Sequence, residues 1–581
     1  MEWRHALSAT GLLREFTDAE VIDASDVHVA QRLSALASEP DETVALAVAF
    51  VVRALRNGSV CVDLGSIEQQ VGVEGLRWPN SKEWLVAVKA SPLTGTPPVL
   101  RIEGDLLYLD RYWLEEQQVC DDVLAMVAAR PKQTSPDMDR LFPPGFEEQR
   151  AAAEVALSQG LTVLTGGPGT GKTTTAARLL ALLAGRTRLR IAMAAPTGKA
   201  AARLQEAVQL EVGKLERADR EALAGLQSMT LHRLLGSRPD TSARFRHNRS
   251  NRLPHDVIVV DETSMVSLTM MARLLEAVRP DARLILVGDA DQLASVEAGA
   301  VLADLVDGLG RARIAELTTP YRFGESIGAL ASAVRAGDAD LVIEVLAAGG
   351  DHVEWIDTDE PSESLRKVVV PQALRLREAA ILGNVGAALQ TLGEHRLLCA
   401  HRRGPFGVRY WNHQVERWLT EATAEPIWSA WYPGRPVLVT ANDYGLGLYN
   451  GDTGVTVLRD DVLRAVIAGA DQHGFATGRL SDVDTMHAMT IHKSQGSQAD
   501  EVTVLMPPED SRLLSRELLY TGVTRAKKRV RVIGAQASVR AAVERRVMRA
   551  SGLGQRLRSG AGDGIALARP CGLSVEQGTR Q

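Results

Sequence analysis

Leu161-Thr162-Val163-Leu164-Thr165-Gly166-Gly167-Pro168-Gly169-Thr170-Gly171-Lys172-Thr173-Thr174 decides the fold. The run Leu161–Leu164 reads as a buried strand. Gly166 to Thr173 matches G-x-x-x-x-G-K-[ST], and a helical pattern opens at Thr174, which is the strand–loop–helix context that gives the motif its meaning. Gly166, Gly167, Gly169 and Gly171, with Pro168 and Thr170 between them, let backbone N–H groups approach phosphates, and the following helix N-terminus favours negative charge. Lys172 is placed to bridge the β- and γ-phosphates and Thr173 to ligate Mg²⁺, with Thr174 closing the nucleotide-binding stretch.

Outward from this loop, the apolar run Val257-Ile258-Val259-Val260 ends in Asp261-Glu262, 89 residues beyond Lys172. An Asp-Glu pair alone is usually a solvated loop. At the end of a buried strand behind a P-loop, Asp261 suits a water-mediated hold on Mg²⁺, and Glu262 suits orienting or deprotonating the attacking water. Ile191–Ala195 and Leu284–Val287 are further short apolar runs, each followed by a loop and a helical pattern. A second set appears at Arg396–Ala400, Glu501–Met506 and Val530–Ile533. This is the βα signature of parallel sheets covered by helices, and it predicts two α/β domains in series. Thr197-Gly198-Lys199 is no second P-loop, because Met193 stands where its first glycine would be needed.

The whole chain has 581 residues, 45% apolar and 24% charged. That is the balance of a globular protein of three to five domains. Cys61, Cys120, Cys399 and Cys571 are far apart, which excludes a local zinc or Fe–S knuckle and fits a reducing compartment. The longest apolar run, Val44 to Val52, is nine residues, against ~20 for a membrane span. With Met-Glu-Trp-Arg at the start and no secretory apolar region, a cytoplasmic protein with no membrane contact is expected. The net charge of −6 is unevenly spread: 13 basic against 22 acidic residues in 1–140, and 53 against 50 in the remainder. Only the field in a groove matters to phosphate binding, so DNA is not excluded.

These patterns divide the chain. Residues 1–130 read as a helical domain, with Asp41 capping a helix that runs to Arg56 and stops at Asn57-Gly58. Prolines punctuate a linker over 131–145. The first α/β domain occupies 146–316 and the second 317–431 with 485–550. Residues 432–484, rich in Gly, Val and Asp, form a small β insertion, and 551–581 reads as a flexible Gly/Arg-rich tail.

The remaining motifs narrow the class of NTPase. They are Ala195-Pro196-Thr197-Gly198-Lys199, Thr230-Leu231-His232-Arg233, Gly288-Asp289-Ala290-Asp291-Gln292-Leu293-Ala294-Ser295-Val296, Thr319-Pro320-Tyr321-Arg322, Thr490-Ile491-His492-Lys493-Ser494-Gln495-Gly496 and Tyr520-Thr521-Gly522-Val523-Thr524-Arg525-Ala526. In order and spacing the series resembles the superfamily 1 helicases of the 5′–3′ branch. The strings from Asp261 to Val266, from Gly288 to Val296 and from Cys399 to Asn412, with Asn57–Leu64, resemble the RecD family, which supplies the alpha subunit of exodeoxyribonuclease V (RecBCD). The resemblance covers nearly the whole chain, and Thr263 departs from it where a small alanine is expected.

The resemblance implies two RecA-like P-loop motor domains, an SH3-like β insertion and an N-terminal domain that docks on a partner. It implies ATP with Mg²⁺ as cofactors, RecB and RecC as partners in a heterotrimer, and unwinding of duplex DNA ends to single strands during double-strand-break repair and recombination. A stand-alone RecD-like helicase acting on DNA or RNA is the alternative. No separate nuclease constellation is evident.

Carried onto this sequence, Gln149 is the adenine-reading glutamine, although a lone Gln on a helix is more often simply exposed. Gln292 is the γ-phosphate sensor, and Arg322 and Arg525 are arginine fingers. Pro196, Thr197, Thr230, His232, Thr490 and His492 fall in motifs that touch the nucleic acid, although each alone is an ordinary loop or capping residue. Tyr321, Phe323, Trp411 and Tyr444 are candidates for base stacking, with core packing the better expectation for any one of them.

Overall fold

The computed structural model describes residues 8–129, 138–185, 189–238, 241–319, 321, 325–443, 445–469 and 474–562. The N-terminal region is built round the helix Glu42–Arg56. Asp41 starts it by accepting from the Thr43 N–H at 2.8 Å, and Asn57 with Gly58 (φ +85°) ends it as expected. Every residue from Val44 to Val51 is buried, so this helix is the core that its neighbours cover. Phe16 and Phe50 meet edge to face at 5.6 Å, and Trp84 Nε1 donates to the Thr43 carbonyl. A finding beyond the helical expectation is a three-stranded antiparallel sheet of β1 (Cys61–Asp63), β2 (Leu100–Glu103) and β3 (Leu106–Leu109), in the order β1-β3-β2. Strands of three or four residues are too short to show alternation in a sequence.

The first lobe is a six-stranded parallel sheet. Its strands are β4 (Leu161–Gly166), β5 (Ile191–Ala195), β6 (Ser228–Thr230), β9 (Val257–Val260), β10 (Arg283–Gly288) and β11 (Ile314–Leu317). A hairpin of β7 (Ser237–Arg238) and β8 (Thr241–Phe245) stands apart from it. The order β11-β4-β10-β9-β5-β6 puts β4, with the P-loop at its end, beside β10, whose other neighbour β9 carries Asp261. The second lobe opens with β12 (Val353–Ile356) and β13 (His395–Cys399). The chain then leaves to build an antiparallel sheet of β14 (Pro436–Val439), β15 (Thr453–Arg459), β16 (Val462–Ile467), β17 (Phe475–Ala476) and β18 (Val483–Thr485). It returns as β19 (Ala488–Thr490), β20 (Ala499–Leu505) and β21 (Ala526–Ile533), completing a parallel sheet ordered β12-β21-β20-β13-β19. The fold is α/β, with two parallel-sheet lobes, a β insertion in the second and a largely helical N-terminal region.

Two expectations are corrected. The segment after Ser551 is not wholly a flexible tail: Leu553–Gly562 is a helix, and Leu553 and Leu557 are fully buried in one core with Val119, Val123, Leu305 and Leu309. They lie four residues apart, on one helical face. At Gly308 a Cβ would stand 2.7 Å from Leu557 Cβ, so glycine permits the close approach. Gly and Arg content hid this two-residue stripe. The linker expected over 131–145 is likewise folded from Met138, with Leu141 and Phe142 buried against Leu179 and Leu180. Among the described residues no helix is long and apolar enough to cross a membrane, and no three His, Cys, Asp or Glu gather as a metal cluster.

Candidate nucleotide cleft and strand groove

The P-loop leaves β4 at Gly166, where a Cβ would lie 2.4 Å from the Leu317 carbonyl of β11, so only glycine fits. Gly171, at φ +86°, turns the chain into the helix Lys172–Ala184. Thr170 Oγ1 donates to the Gly167 carbonyl at 2.8 Å, bracing the loop. Lys172 Nζ is bonded to the carbonyls of Gly166 (2.6 Å) and Gly167 (2.8 Å), and Thr173 and Thr174 follow it half-buried. Burial pushes the Lys172 pKa down, while Asp289, Asp261 and Glu262 pull it back up.

Burial raises Asp261 to about 6, and the Glu262 carboxylate adds to the rise. Glu262 stands at φ +50°, a left-handed conformation in a residue other than glycine, and its N–H donates to Asp261 Oδ1 at 2.8 Å. Such a backbone costs on the order of 1–3 kcal/mol and persists where the surroundings enforce it. Thr263, which stands where the family pattern has alanine, is fully buried and spends its hydroxyl on the Val260 carbonyl at 3.0 Å. Gln149 is buried on the helix Glu147–Ser158, so it is not the exposed residue that a lone Gln usually is. Its Oε1 has no partner, and its Nε2 lies 3.7 Å from where a Gly171 Cβ would be.

The second lobe closes the other wall. Tyr520, on the helix Arg516–Val523, donates its hydroxyl to Asp289 Oδ2 at 3.1 Å. That hydroxyl is 3.3 Å from a Cβ placed on Gly167. Gln292 Nε2 donates to the same Asp289 oxygen at 2.9 Å, and Gln292 Oε1 is left buried without a partner. The Leu293 N–H donates to Thr521 Oγ1 at 3.0 Å, and Gln495 Nε2 donates to the Leu293 carbonyl at 2.7 Å. Arg525 is buried and anchored by Nε on the Thr521 carbonyl at 3.0 Å. Burial lowers its pKa, and the Glu262 and Asp289 carboxylates oppose that, so its guanidinium feels the acids of the first lobe. Arg322 lies outside the described residues, but its neighbour Tyr321 donates its N–H to the Gly169 carbonyl at 2.9 Å.

Asp289, Tyr520, Thr521 and Gln495 have no individual role in the sequence reading. They sit inside its motif strings, and only their contacts across the cleft single them out.

The nucleic-acid candidates share one construction. Thr197 lies two residues beyond β5, Thr230 and Thr490 are the last residues of β6 and β19, and each hydroxyl caps a helix, accepting from Ala200, Arg233 and Lys493 N–H groups at 3.2 Å. Each is therefore the capping residue of the ordinary reading, with its hydroxyl proton still available to a phosphate. His232 and His492 each lie two residues beyond their threonine, one in each lobe. Burial lowers the pKa of both imidazoles, so they offer neutral hydrogen bonding rather than fixed charge. Pro196 is half-buried between β5 and its cap. Arg203 Nη1 donates to the Gly496 carbonyl at 2.6 Å, which brings the two sets together across the lobes. Of the stacking candidates, Trp411 is buried against Trp418 and belongs to the core. Tyr321 is 60% exposed. Phe323 and Tyr444 lie outside the described residues.

Three family models match this arrangement: an AAA domain over 149–298, a UvrD-like helicase C-terminal domain over 485–533, and the N-terminal domain of the RecBCD enzyme subunit RecD over 18–108. The RecBCD enzyme subunit RecD of Mycolicibacterium smegmatis is 72% identical over 546 residues, covering 93% of this chain and 98% of its own. The chain belongs to the RecD family. The RecD subunit of Mycobacterium tuberculosis (strain CDC 1551 / Oshkosh) is 65% identical over 565 residues, covering 95% of this chain and 98% of its own. The ATP-dependent RecD2 DNA helicase of Deinococcus radiodurans is 31% identical over 477 residues. That match covers 81% of this chain but 61% of RecD2.

Proposed function

We propose that this RecD family member is the ATP-driven 5′–3′ DNA helicase subunit of an exodeoxyribonuclease V complex, acting with RecB and RecC on duplex ends in the cytoplasm. The observation that carries the reading is the convergence on the P-loop from the far lobe. Tyr520 is bonded to Asp289, which also holds Gln292, and Arg525 is within electrostatic reach of Glu262. The stand-alone alternative is less well supported, because the chain matches subunit relatives almost end to end and RecD2 over 61% of its length.

In this reading the residues fit a magnesium nucleotide. Gln149 Oε1 is free to accept from an adenine amine, and Gln292 Oε1 is open beside the γ-phosphate position. Thr173 and Asp261 would hold Mg²⁺, whose charge offsets that of the phosphates. Lys172 exchanges its two loop carbonyls for phosphate oxygens, and Glu262 orients and deprotonates the attacking water. Arg525, with Arg322, meets the charge that develops at the γ-phosphate, a contribution worth roughly 10³–10⁵ in rate. The lobes are joined at Leu293 by Thr521 and Gln495, so movement at the γ-phosphate sensor is passed to lobe closure, and closure to translocation. The 436–485 sheet would be the SH3-like element. Pro196, Thr197, Thr230, His232, Thr490 and His492 would hold the strand.

The test is Lys172→Ala in the assembled complex. DNA-stimulated ATP hydrolysis by this subunit is expected to be lost, with RecB and RecC still bound. Strand displacement from a 5′ tail is lost with it. Unchanged hydrolysis would overturn the assignment.

A further inference from the structure

Four arginines gather where the N-terminal region, both lobes and the returning C-terminal segment meet. Arg549 is at the centre. Its Nη1 donates to the carbonyls of Glu297 and Gly299, each at 3.3 Å, and its Cζ lies 2.8 Å from a Cβ placed on Gly58. It thus joins the first lobe to the end of the helix Glu42–Arg56. Four residues earlier, Arg545 Nη1 donates to the Ser511 carbonyl at 3.2 Å, and Ser511 Oγ is paired with His401 Nε2 at 2.8 Å. Those two hydrogen bonds bring the next residues along, Arg512 and Arg402, to the same rim, and both are exposed. Arg53 stands on the last turns of the N-terminal helix, half-buried over the Phe50 ring at 5.9 Å.

Among the described residues none of Arg53, Arg402, Arg512 and Arg549 forms an ion pair. The nearby acids are spent elsewhere: Asp23 and Asp26 on Arg56, and Glu517 on the Val547 N–H and Arg546. The like charges act on one another. Burial lowers the Arg53 pKa; the Asp26 carboxylate opposes that and the Arg512 guanidinium reinforces it, while Arg549 and Arg402 add to the burial that lowers His492. A cluster of guanidiniums that form no ion pair with a carboxylate is well suited to a polyanion. The rim is continuous with the His492 end of the strand groove. Val296 and Met548, chain neighbours of Glu297 and Arg549, are 80% and 82% exposed and offer apolar surface to unstacked bases. That combination favours a nucleic-acid strand over an acidic protein.

We propose that Arg53, Arg402, Arg512 and Arg549 form a phosphate-binding rim that carries single-stranded DNA from the two-lobed groove onto the N-terminal domain. The proposal rests on the helicase reading of the cleft. It gives the acidic N-terminal region a second task besides docking.

The experiment uses the full chain and fluorescein-labelled oligothymidylates of about 8 and about 20 nucleotides, the shorter within the site size of a single groove. Binding is followed by anisotropy across a salt series. Arg53→Gln with Arg512→Gln is expected to weaken the longer strand several-fold and to flatten the slope of log K on log salt by about 1.4, roughly 0.7 for each single-strand phosphate that is no longer neutralised. The shorter strand is unaffected, and Arg53→Lys with Arg512→Lys restores the slope. An unchanged melting temperature excludes loss of fold as the cause. If the wild type binds and the Gln pair matches it on both lengths, the rim is not a strand site. If the Gln pair loses only assembly with RecB and RecC, it is a partner contact and the proposal falls. If the wild type binds neither oligonucleotide, the helicase reading itself is at fault.

Discussion

The nucleotide cleft and the C-terminal junction both bury charge, but they finish it differently. In the cleft, Gln149 Oε1 and Gln292 Oε1 have no partner, and Lys172 rests on carbonyls of its own loop. At the junction, Glu116 is fully buried and saturated. Its Oε1 accepts from Ser551 Oγ at 2.7 Å and the Gly552 N–H at 3.0 Å, and its Oε2 accepts from Arg556 Nε at 3.3 Å. A buried polar group left open is costly, and in a cleft a ligand can satisfy it. The cleft is built to be completed from outside, whereas the Glu116 carboxylate at the junction is already satisfied.

The largest effect is expected at Glu116. Glu116→Ala leaves the Ser551 hydroxyl and the Gly552 N–H without their acceptor and the Arg556 guanidinium with Glu103 and Gln117 alone. Each buried donor left unpaired costs about 1–3 kcal/mol, so a large drop in the denaturant midpoint is expected. An unchanged midpoint would mean that the C-terminal helix adds nothing to the fold.

At the cleft, the matching truncation should spare stability and damage function. Gln149→Ala removes an oxygen that bonds to nothing in the protein, so the melting temperature should move little. Selectivity should suffer instead. A site that reads an amine rejects nucleotides without one, and losing that hydrogen bond is worth about 1–3 kcal/mol, or roughly 5–150-fold. The measurement is kcat/KM for ATP against GTP in the two proteins. Discrimination that survives the substitution would place base recognition elsewhere.

The same contrast explains what the sequence made legible. The P-loop, the Asp261-Glu262 strand end and the Asp41 cap are local: each is a short run whose neighbours in the chain are its neighbours in space. Leu553 and Leu557 were hidden because two leucines in a Gly/Arg-rich stretch carry no periodicity until the helices Asp110–Ala128 and Val301–Leu309 are set beside them. Tyr520 was visible as part of a motif, but its task required Asp289, 231 residues away. Thr197, Thr230 and Thr490 had two readings in the sequence; the caps fulfil the ordinary one and leave the other open, since a capping hydroxyl keeps its proton. Trp411 was a candidate for stacking only while its partner Trp418 was out of view.

The finest test of the contrast lies at Asp304, where the junction has its own strained carboxyl. Burial pushes its pKa up to about 7; the neighbouring Ser551 hydroxyl and the charge of Arg558 oppose that, while Glu116 and Asp307 reinforce it. The folded state therefore holds the Asp304 proton more tightly than the unfolded chain, where the group titrates near 3.8. Its contribution to stability is fully present below about pH 4 and is lost progressively as pH rises to about 7, with no further change above. Asp304→Asn keeps the shape and stays neutral, so it should melt with the wild type at pH 4 and a few degrees higher at pH 8. A difference that does not vary between those pH values would mean that Asp304 is ionised throughout, and that the junction satisfies this acid as fully as it satisfies Glu116.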